Sequence, residues 1–427
     1  MRRPEGEIVT SPVLTIHRAA DEIGGNCIEL AHEGTRILLD AGAPLQGGPN
    51  APFIPPSLDL TTPVDGLVLS HPHQDHFGLL PSLPESWPVW MGEGTEILTE
   101  MTLALRGQQV PQHIHRYRDR QPFSIGPFTI TPWLTDHSAF DAHMLEIEVG
   151  GKRLVYSGDF RKTGRKAGLV ERFIRALPRP VDVLLMEGTC LGRSGDFPTE
   201  SELEDVFADH MRQTKGRVFV SWSGQNIDRT VTLYRACVKA QRELILDVYS
   251  LDVLARLTAT GAKLPTLMDY QSLRGVVTRS MIRLYKNPDR FNRPEFVDEV
   301  ATSGKAFGAA KLESLEKPAA IMLRPSLLRD FEDKGMVLTK DDCWLFSQWS
   351  GYKATPEYQK VEQAFAAVGA TMAQVHTSGH ASLDDLVDFS ESLAPARMIP
   401  IHSDVWDQHL HRFSNVHRLM DNVTLAL

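Results

Sequence analysis

The stretch LVLSHPHQDHFGLL places His71, His73, Asp75 and His76 within six residues, directly after a short apolar run. Imidazole and carboxylate are borderline-to-hard donors that suit Zn²⁺, with Mn²⁺ or Fe²⁺ as alternatives. Two histidines one residue apart can bind one ion, while the adjacent Asp75 and His76 point elsewhere and suit a second. An isolated HxH is more often a hydrogen-bonded structural pair. Four such residues without metal would have to satisfy several ring nitrogens in one tight loop, so a metal site is the simpler reading.

Partners of the right type stand elsewhere in the chain. Up to about residue 190 the apolar segments are short, rich in β-formers and bounded by Gly, Pro, Asp or His: RILLDAG, DGLVLSH, FTITPWLTDH, RLVYSGD and VDVLLMEGT. Each reads as a strand. Asp40, His71, His137, Asp159 and Glu187 stand at or just beyond the C-terminal ends of these strands, where side chains from different strands can converge on one sheet edge. His137 can complete a first site with His71 and His73. Asp159 can bridge to a second, made by Asp75, His76 and a late histidine. Open coordination positions in such sites distinguish catalytic from structural metal binding. Asp40 either orients a ligand histidine or shapes a strand-end turn.

From about residue 199 the texture changes to alternating helices and strands. Thr199 and Glu202 form a capping-box pair that opens a helix with Leu203, Val206 and Phe207. RVFVSW follows, then a helix with Ile227, Val231, Tyr234 and Val238 on one face, then ELILDVY. This rhythm predicts a mainly parallel sheet with flanking helices. Residues 287–318 are polar and weakly patterned and read as a surface excursion. The rhythm resumes with AAIML, CWLFS, a helix at about 357–369, TMAQVH, a helix at about 382–393 opened by Ser382, and ARMIPIH. His380 and His402 flank that last helix. Polar chemistry thus lies before and after the middle segment, as expected for one catalytic domain interrupted by an inserted α/β domain. There is no internal repeat and no low-complexity linker.

At 427 residues the chain has room for two or three domain-sized units. Its 42% hydrophobic and 23% charged content is ordinary for globular proteins. No apolar run approaches the ~20 residues that cross a bilayer. The start MRRPEGEIVTSPV lacks an apolar signal core, and four scattered cysteines form no CxxC pair. Both suggest a cytoplasmic protein with free thiols. The formal charge of −9 argues against non-specific coating of nucleic acid. A local basic run from Arg161 to Arg179 offers either a groove for phosphates or a solvated helix face.

The order Asp40, HPHQDH, His137 and YSGDF with Asp159 resembles the metallo-β-lactamase fold. LLMEGTCLGR with Glu187 resembles motif A of the β-CASP nucleases, HTSGHASLDDL with His380 motif B, and MIPIHSD with His402 motif C. GQNIDR, with Asn226, Asp228 and Arg229, is similar to a segment near the start of the β-CASP insertion. Within that family the ribonuclease J type is the best match. The resemblance implies an α/β fold: a metallo-β-lactamase αββα sandwich from residues 1–198 and 376–427, with a β-CASP domain at 199–375 inserted. That domain would cover the metal site and leave a channel for single-stranded nucleic acid.

The resemblance further implies two Zn²⁺ ions, with Mn²⁺ an alternative, and makes His402 the late ligand of the second. Glu187 and His380 become catalytic partners, and Ser378, Gly379, Asn226 and Arg229 contacts to substrate phosphate. The expected activity is hydrolysis of single-stranded RNA by a metal-activated water, with Asp75 accepting its proton and His380, held by Glu187, acting as general acid. A DNA-directed nuclease, a thioesterase or lactonase, and an inactive scaffold are the alternatives. Inactive scaffolds lose ligands, and none is missing here. Motif C departs from the common His-Gly-Glu, reading His402, Ser403, Asp404. The chain ends about 25 residues after His402, which would leave out the assembly domain of ribonuclease J, so monomer and homodimer are both open. Trp222 and Tyr249 follow insertion strands, where stacking on bases is conceivable and core packing commoner.

Overall fold

The computed structural model describes residues 11–45, 53–111, 113–195 and 197–427. The first ten residues, part of the start considered above for a signal segment, lie outside them. Six strands open the chain: β1 (Val13–Arg18), β2 (Cys27–His32), β3 (Thr35–Leu39), β4 (Gly66–Val68), β5 (Val89–Gly92) and β6 (Ile114–Tyr117). They run antiparallel from β1 to β3 and parallel from β3 to β6. A second sheet begins as the meander β7 (Phe123–Ile125), β8 (Phe128–Leu134), β9 (His143–Val149) and β10 (Lys152–Tyr156). Then β11 (Val183–Met186) joins parallel to β10.

Alternation along these strands decides what packs where. Leu14, Ile16, Ile28, Leu30, Ile37 and Leu39 of the first sheet meet Ile130, Leu145, Ile147, Leu154 and Leu185 of the second in one core. The intervening residues face outward under helices. Leu38 and Leu67 pack with Phe77 and Leu103, and Met144, Val155 and Leu184 with Phe173, Leu386 and Phe389. The result is a helix–sheet–sheet–helix sandwich.

The middle of the chain builds a separate seven-stranded sheet in the order β15-β14-β13-β16-β12-β17-β18. Its strands are β12 (Val218–Ser221), β13 (Glu243–Asp247), β14 (Leu273–Val277), β15 (Ala306–Gly308), β16 (Ala319–Met322), β17 (Cys343–Phe346) and β18 (Thr371–Gln374). All pairings are parallel. A parallel sheet needs helices on both faces, and its strands are apolar on both: Val218 and Val220 pack with Phe207 and Leu233, while Phe219 and Ile321 pack with Phe331 and Phe365. The chain then returns to the sandwich, where β19 (Arg397–Pro400) extends the second sheet beside β11 and β20 (Val423–Ala426) the first beside β1.

Four expectations need correction or resolution. Residues 287–318 are not a mere surface excursion, because the helix Pro294–Thr302 buries Phe296, Val297 and Val300, and β15 closes one sheet edge. Its charged outer face, Glu295, Asp298 and Glu299, diluted the apolar pattern. Val206 and Val238 are exposed rather than core. Their helices, Glu200–Gln213 and Ile227–Lys239, pack through the smaller Ala208, Ala236 and Cys237, which turns the apolar stripe. Trp222 and Tyr249 are buried, with the Trp222 indole N–H donating to Thr230. They do not face a channel.

Five of the seven cations in the basic run from Arg161 to Arg179 are engaged within the fold. Arg161 pairs with Asp228 and Glu200, Lys162 with Glu171, Arg165 with Glu204, and Arg172 with Asp119. Arg179 is turned onto backbone carbonyls. The four cysteines are free and buried. Among the described residues no helix is long and apolar enough to cross a membrane.

Candidate metal centre

The strand ends of both sandwich sheets meet at one edge, and the residues that follow β3, β4, β8, β10, β11 and β19 fill it. The HPHQDH loop leaves β4 and turns into the short helix Gln74–Phe77, with His73 as its N-cap. The turn after β3 clamps that helix through backbone bonds: Ala41 N–H donates to His76 O at 2.7 Å and Ala43 N–H to Gln74 O at 2.9 Å. A Cβ on Gly42 would sit 1.6 Å from the Asp75 carbonyl oxygen, so only glycine permits this approach.

Two groups of potential ligand atoms result, each with all members within 4.8 Å of one another: His71, His73, His137 and Asp159, and then Asp75, His76, Asp159 and His402. Asp159 Oδ2 belongs to both, 3.5 Å from His71 Nε2, 3.1 Å from His76 Nε2 and 3.9 Å from His402 Nε2. Glu187 and His380 adjoin the same carboxylate, with His380 Nδ1 2.9 Å from Glu187 Oε2.

Behind the ligands, hydrogen bonds fix which ring nitrogen faces inward. Asp40 Oδ2 accepts from His76 Nδ1 at 2.7 Å, from the Tyr156 hydroxyl at 2.6 Å and from the Ser70 hydroxyl at 2.7 Å. Ser70 Oγ, its own proton given to Asp40, accepts from His71 Nδ1 at 3.0 Å. Asn26 Oδ1 accepts from His402 Nδ1 at 2.6 Å while its amide donates to Tyr156. The Gly379 carbonyl accepts from His137 Nδ1. His71, His137 and His402 therefore carry their proton on Nδ1 and turn a bare Nε2 to the centre, the tautomer that metal binding requires, and His76 directs its Nε2 the same way, 3.1 Å from Asp159 Oδ2. Asp40 bonds His76 directly and His71 through Ser70, and it makes a turn at φ +58°, a conformation costly for a non-glycine residue.

The donor set fits divalent cations on the unsatisfied atoms as well. His71 Nε2, His402 Nε2 and Asp159 Oδ1 are buried with no hydrogen-bond partner among the described residues, a costly state unless an ion takes their lone pairs. Burial keeps His71 and His137 neutral, well below the usual imidazole range, and lowers His73 to about 4. His76 is the exception. Burial opposes its charge, but Asp159, Asp40 and Asp75 outweigh that and hold it well above the usual range. Three carboxylates thus create a place for positive charge. Burial would raise Asp159, yet His402, His76 and His380 hold its carboxyl well below the ordinary value.

Glu187 is locked by the Phe160 N–H at 2.8 Å and the Thr189 N–H at 3.3 Å. With its Nδ1 on Glu187, His380 directs Nε2 away from the carboxylate. Burial opposes protonation of this ring and Glu187 overcomes it, so its pKa is raised.

Of the residues expected at substrate phosphates, Ser378 and Gly379 adjoin the centre through His380 and His137. Arg229 is a correction: it is fully buried, its guanidinium held by Glu200 at 2.9 and 3.1 Å and by Ser347, and it presents no donor to a channel. Asn226 caps the helix Ile227–Lys239 through the Arg229 N–H. Ser378 is buried, its hydroxyl engaged by the His380 N–H and Cys190. Gly379 serves His137 instead. Sequence reasoning missed Asn26, Ser70 and Tyr156. Ser70 and Tyr156 adjoin ligand motifs, whereas nothing in spacing links Asn26 to His402.

Residues 35–211 match the beta-lactamase superfamily domain. Over 403 residues the chain is 24% identical to ribonuclease J of Mycobacterium tuberculosis (strain ATCC 25618 / H37Rv), an alignment covering 90% of this chain and 67% of that protein. Over 243 residues it is 26% identical to ribonuclease J of Helicobacter pylori (strain ATCC 700392 / 26695), covering 52% of this chain and 34% of the relative. The chain thus matches about two thirds or less of these relatives' length. A crystal structure of a protein of unknown function from Enterococcus faecalis V583 shares the fold, with a TM-score of 0.76 at 17% identity, over 98% of this chain and 100% of that one.

Proposed function

We propose that this ribonuclease J-like chain of metallo-β-lactamase fold is a metal-dependent nuclease that hydrolyses phosphodiester bonds in single-stranded RNA. The observation that carries the reading is one carboxylate, Asp159, shared by two ligand groups and adjoined by a histidine held on Glu187 at 2.9 Å. His71, His73, His137 and Asp159 would hold one divalent ion, and Asp75, His76, Asp159 and His402 a second, with Zn²⁺ or Mn²⁺ suited to this donor set. Such ions, when bound, supply an activated water at neutral pH and offset charge on phosphoryl oxygens.

The side chains do the rest. Asp75 is 13% exposed at its side chain and lies 3.6 Å from His402 Nε2 within the second group, where it could accept a proton from the attacking water. His380, 19% exposed and held in one tautomer by Glu187, presents Nε2–H to the leaving 3′ oxygen. General acid catalysis of this kind contributes about 10²–10⁴-fold. RNA as the substrate rests on the names of the ribonuclease J relatives. The buried free thiols fit a reducing, cytoplasmic setting.

The test is direct. The protein is incubated with Zn²⁺ or Mn²⁺ and matched single-stranded RNA and DNA carrying 5′-phosphate or 5′-hydroxyl ends, beside His73→Ala. RNA cleavage lost in the variant supports the reading. Hydrolysis of a thioester or lactone with both polymers intact overturns it. Mononucleotides would indicate exonuclease action and internal fragments endonuclease action.

A further inference from the structure

The turn after β17 carries an aromatic pair used by neither the metal centre nor the cores. Trp349 is 51% exposed and Tyr352 49% exposed, with rings meeting edge to face at 5.7 Å between centroids. The turn is built rather than loose. Ser350–Ala354 forms a 3₁₀ turn in which Tyr352 N–H donates to the Trp349 carbonyl at 3.1 Å. A Cβ on Gly351 would lie 2.3 Å from two indole carbons, so the glycine lets the ring lie against the backbone and fixes one of its faces. Lys353 reaches back over the Trp344 and Phe346 rings at 5.5 and 5.3 Å, tying the turn to the sheet.

The pair follows the same sheet edge from which the chain runs on to His380. β17 and β18 are parallel neighbours with Phe346 opposite Gln374, and Ser347 Oγ donates to the Val375 carbonyl at 2.6 Å. Trp349 and the segment leading to His380 therefore leave the same sheet edge side by side.

A substrate strand needs a source of affinity here. Of the cations from Arg161 to Arg172, Arg161, Lys162, Arg165 and Arg172 are paired with neighbouring acids, and Lys166 lies over the Phe140 ring at 5.5 Å. Stacking on exposed rings supplies affinity without charge and tolerates any base. We propose that Trp349 and Tyr352 form a stacking platform for a nucleobase of the single-stranded substrate near the scissile phosphate. This rests on the nuclease reading.

The metal-loaded full chain is assayed as wild type, Trp349→Ala and Trp349→Phe on a single-stranded oligonucleotide and on a set in which an abasic unit replaces each position in turn. Trp349→Ala should raise KM roughly 5- to 100-fold with kcat little changed, and Trp349→Phe, which keeps a ring, should retain most of the affinity. One abasic position should cost the wild type a similar factor and cost Trp349→Ala nothing more. If wild type cleaves but Trp349→Ala keeps its KM, or the two losses simply multiply at every position, the platform is overturned and the nuclease reading stands. If wild type cleaves no oligonucleotide, the nuclease reading falls and the platform with it.

Discussion

A histidine binds a metal only through a nitrogen that carries no proton, so what matters at each ring is the acceptor on its far side. Here Asp40, Ser70, Asn26 and the Gly379 carbonyl occupy those positions. Removing one should loosen a ligand without deleting it. Asn26→Ala should weaken binding at the Asp75, His76, Asp159 and His402 group by about 10- to 100-fold, read by competition with a chromogenic chelator, while the His71 group keeps its affinity. Equal loss at both groups would show that Asn26 acts on folding rather than on His402. Catalysis gives a second prediction. General acid action falls as pH rises through the acid's pKa, and Glu187 raises the pKa of His380. Glu187→Gln should therefore shift the alkaline limb of kcat to lower pH, and His380→Ala should cost about 10²–10⁴-fold in kcat with metal content unchanged. An unmoved limb would remove His380 from the acid's role. The ligand types were legible because HxHxDH and the strand-end Asp and His residues are dense and rare by chance. Their supports were not, because Asn26 and His402 stand 376 residues apart and meet only through the fold.

Strand ends and the turns after them do the positioning, and the β3 turn has the least freedom. Its backbone bonds to His76 and Gln74 set the pitch of the helix Gln74–Phe77, and the Gly42 Cα rests against the Asp75 carbonyl. Gly42→Ala must move one segment or the other. We expect a loss of about 1–3 kcal/mol from overpacking and a lower metal stoichiometry at the Asp75 group, measured by thermal unfolding with and without added Zn²⁺ and by metal analysis. Unchanged stoichiometry with the same destabilisation would mean that the clamp serves stability alone. Short buried strands were easy to read, since period-two alternation or continuous apolar runs bounded by Gly, Asp and His leave little choice. Helices whose neighbours approach through alanine or cysteine were read with the wrong face, as at Val206 and Val238, because a small residue marks an interface without announcing it. The helix Pro294–Thr302 was hidden for a related reason: three buried apolar residues suffice when Glu295, Asp298 and Glu299 occupy the exposed face.

Across the whole molecule, the sandwich and the middle sheet are joined by a buried ionic network. Arg161, in the loop after β10, is fully buried and reaches Asp228 at 2.8 Å, Glu200 at 3.4 Å and the Ser378 carbonyl at 3.1 Å. Glu200 in turn holds Arg229 at 2.9 Å, and Asp136 lies 3.5 Å from Arg161. Removing Arg229 leaves the buried Glu200 with Arg161 alone as counter-ion, at 3.4 Å, so Arg229→Met should cost about 3 kcal/mol, the low end for breaking a buried pair, even though it adds apolar surface. The same network gives stability a defined response to acid. Burial would raise Glu200, but Arg229 and Arg161 lower its pKa from 4.5 to about 2. A depressed carboxylate contributes stability above its unfolded pKa and loses it as pH falls through the folded one. Glu200 should therefore add on the order of 3 kcal/mol above pH 4.5, declining towards pH 2. Asp136 has the opposite sign, because burial raises it from 3.8 to about 6. Its contribution is full below 3.8 and lost as pH rises through 6. Denaturant unfolding across this range should show Glu200→Gln with a flatter acid limb than wild type between pH 4.5 and 2. Asp136→Asn should abolish the component that weakens the fold between pH 4 and 6. Parallel acid limbs in wild type and Glu200→Gln would show that the ion pair joining the two units carries no pH-dependent stability.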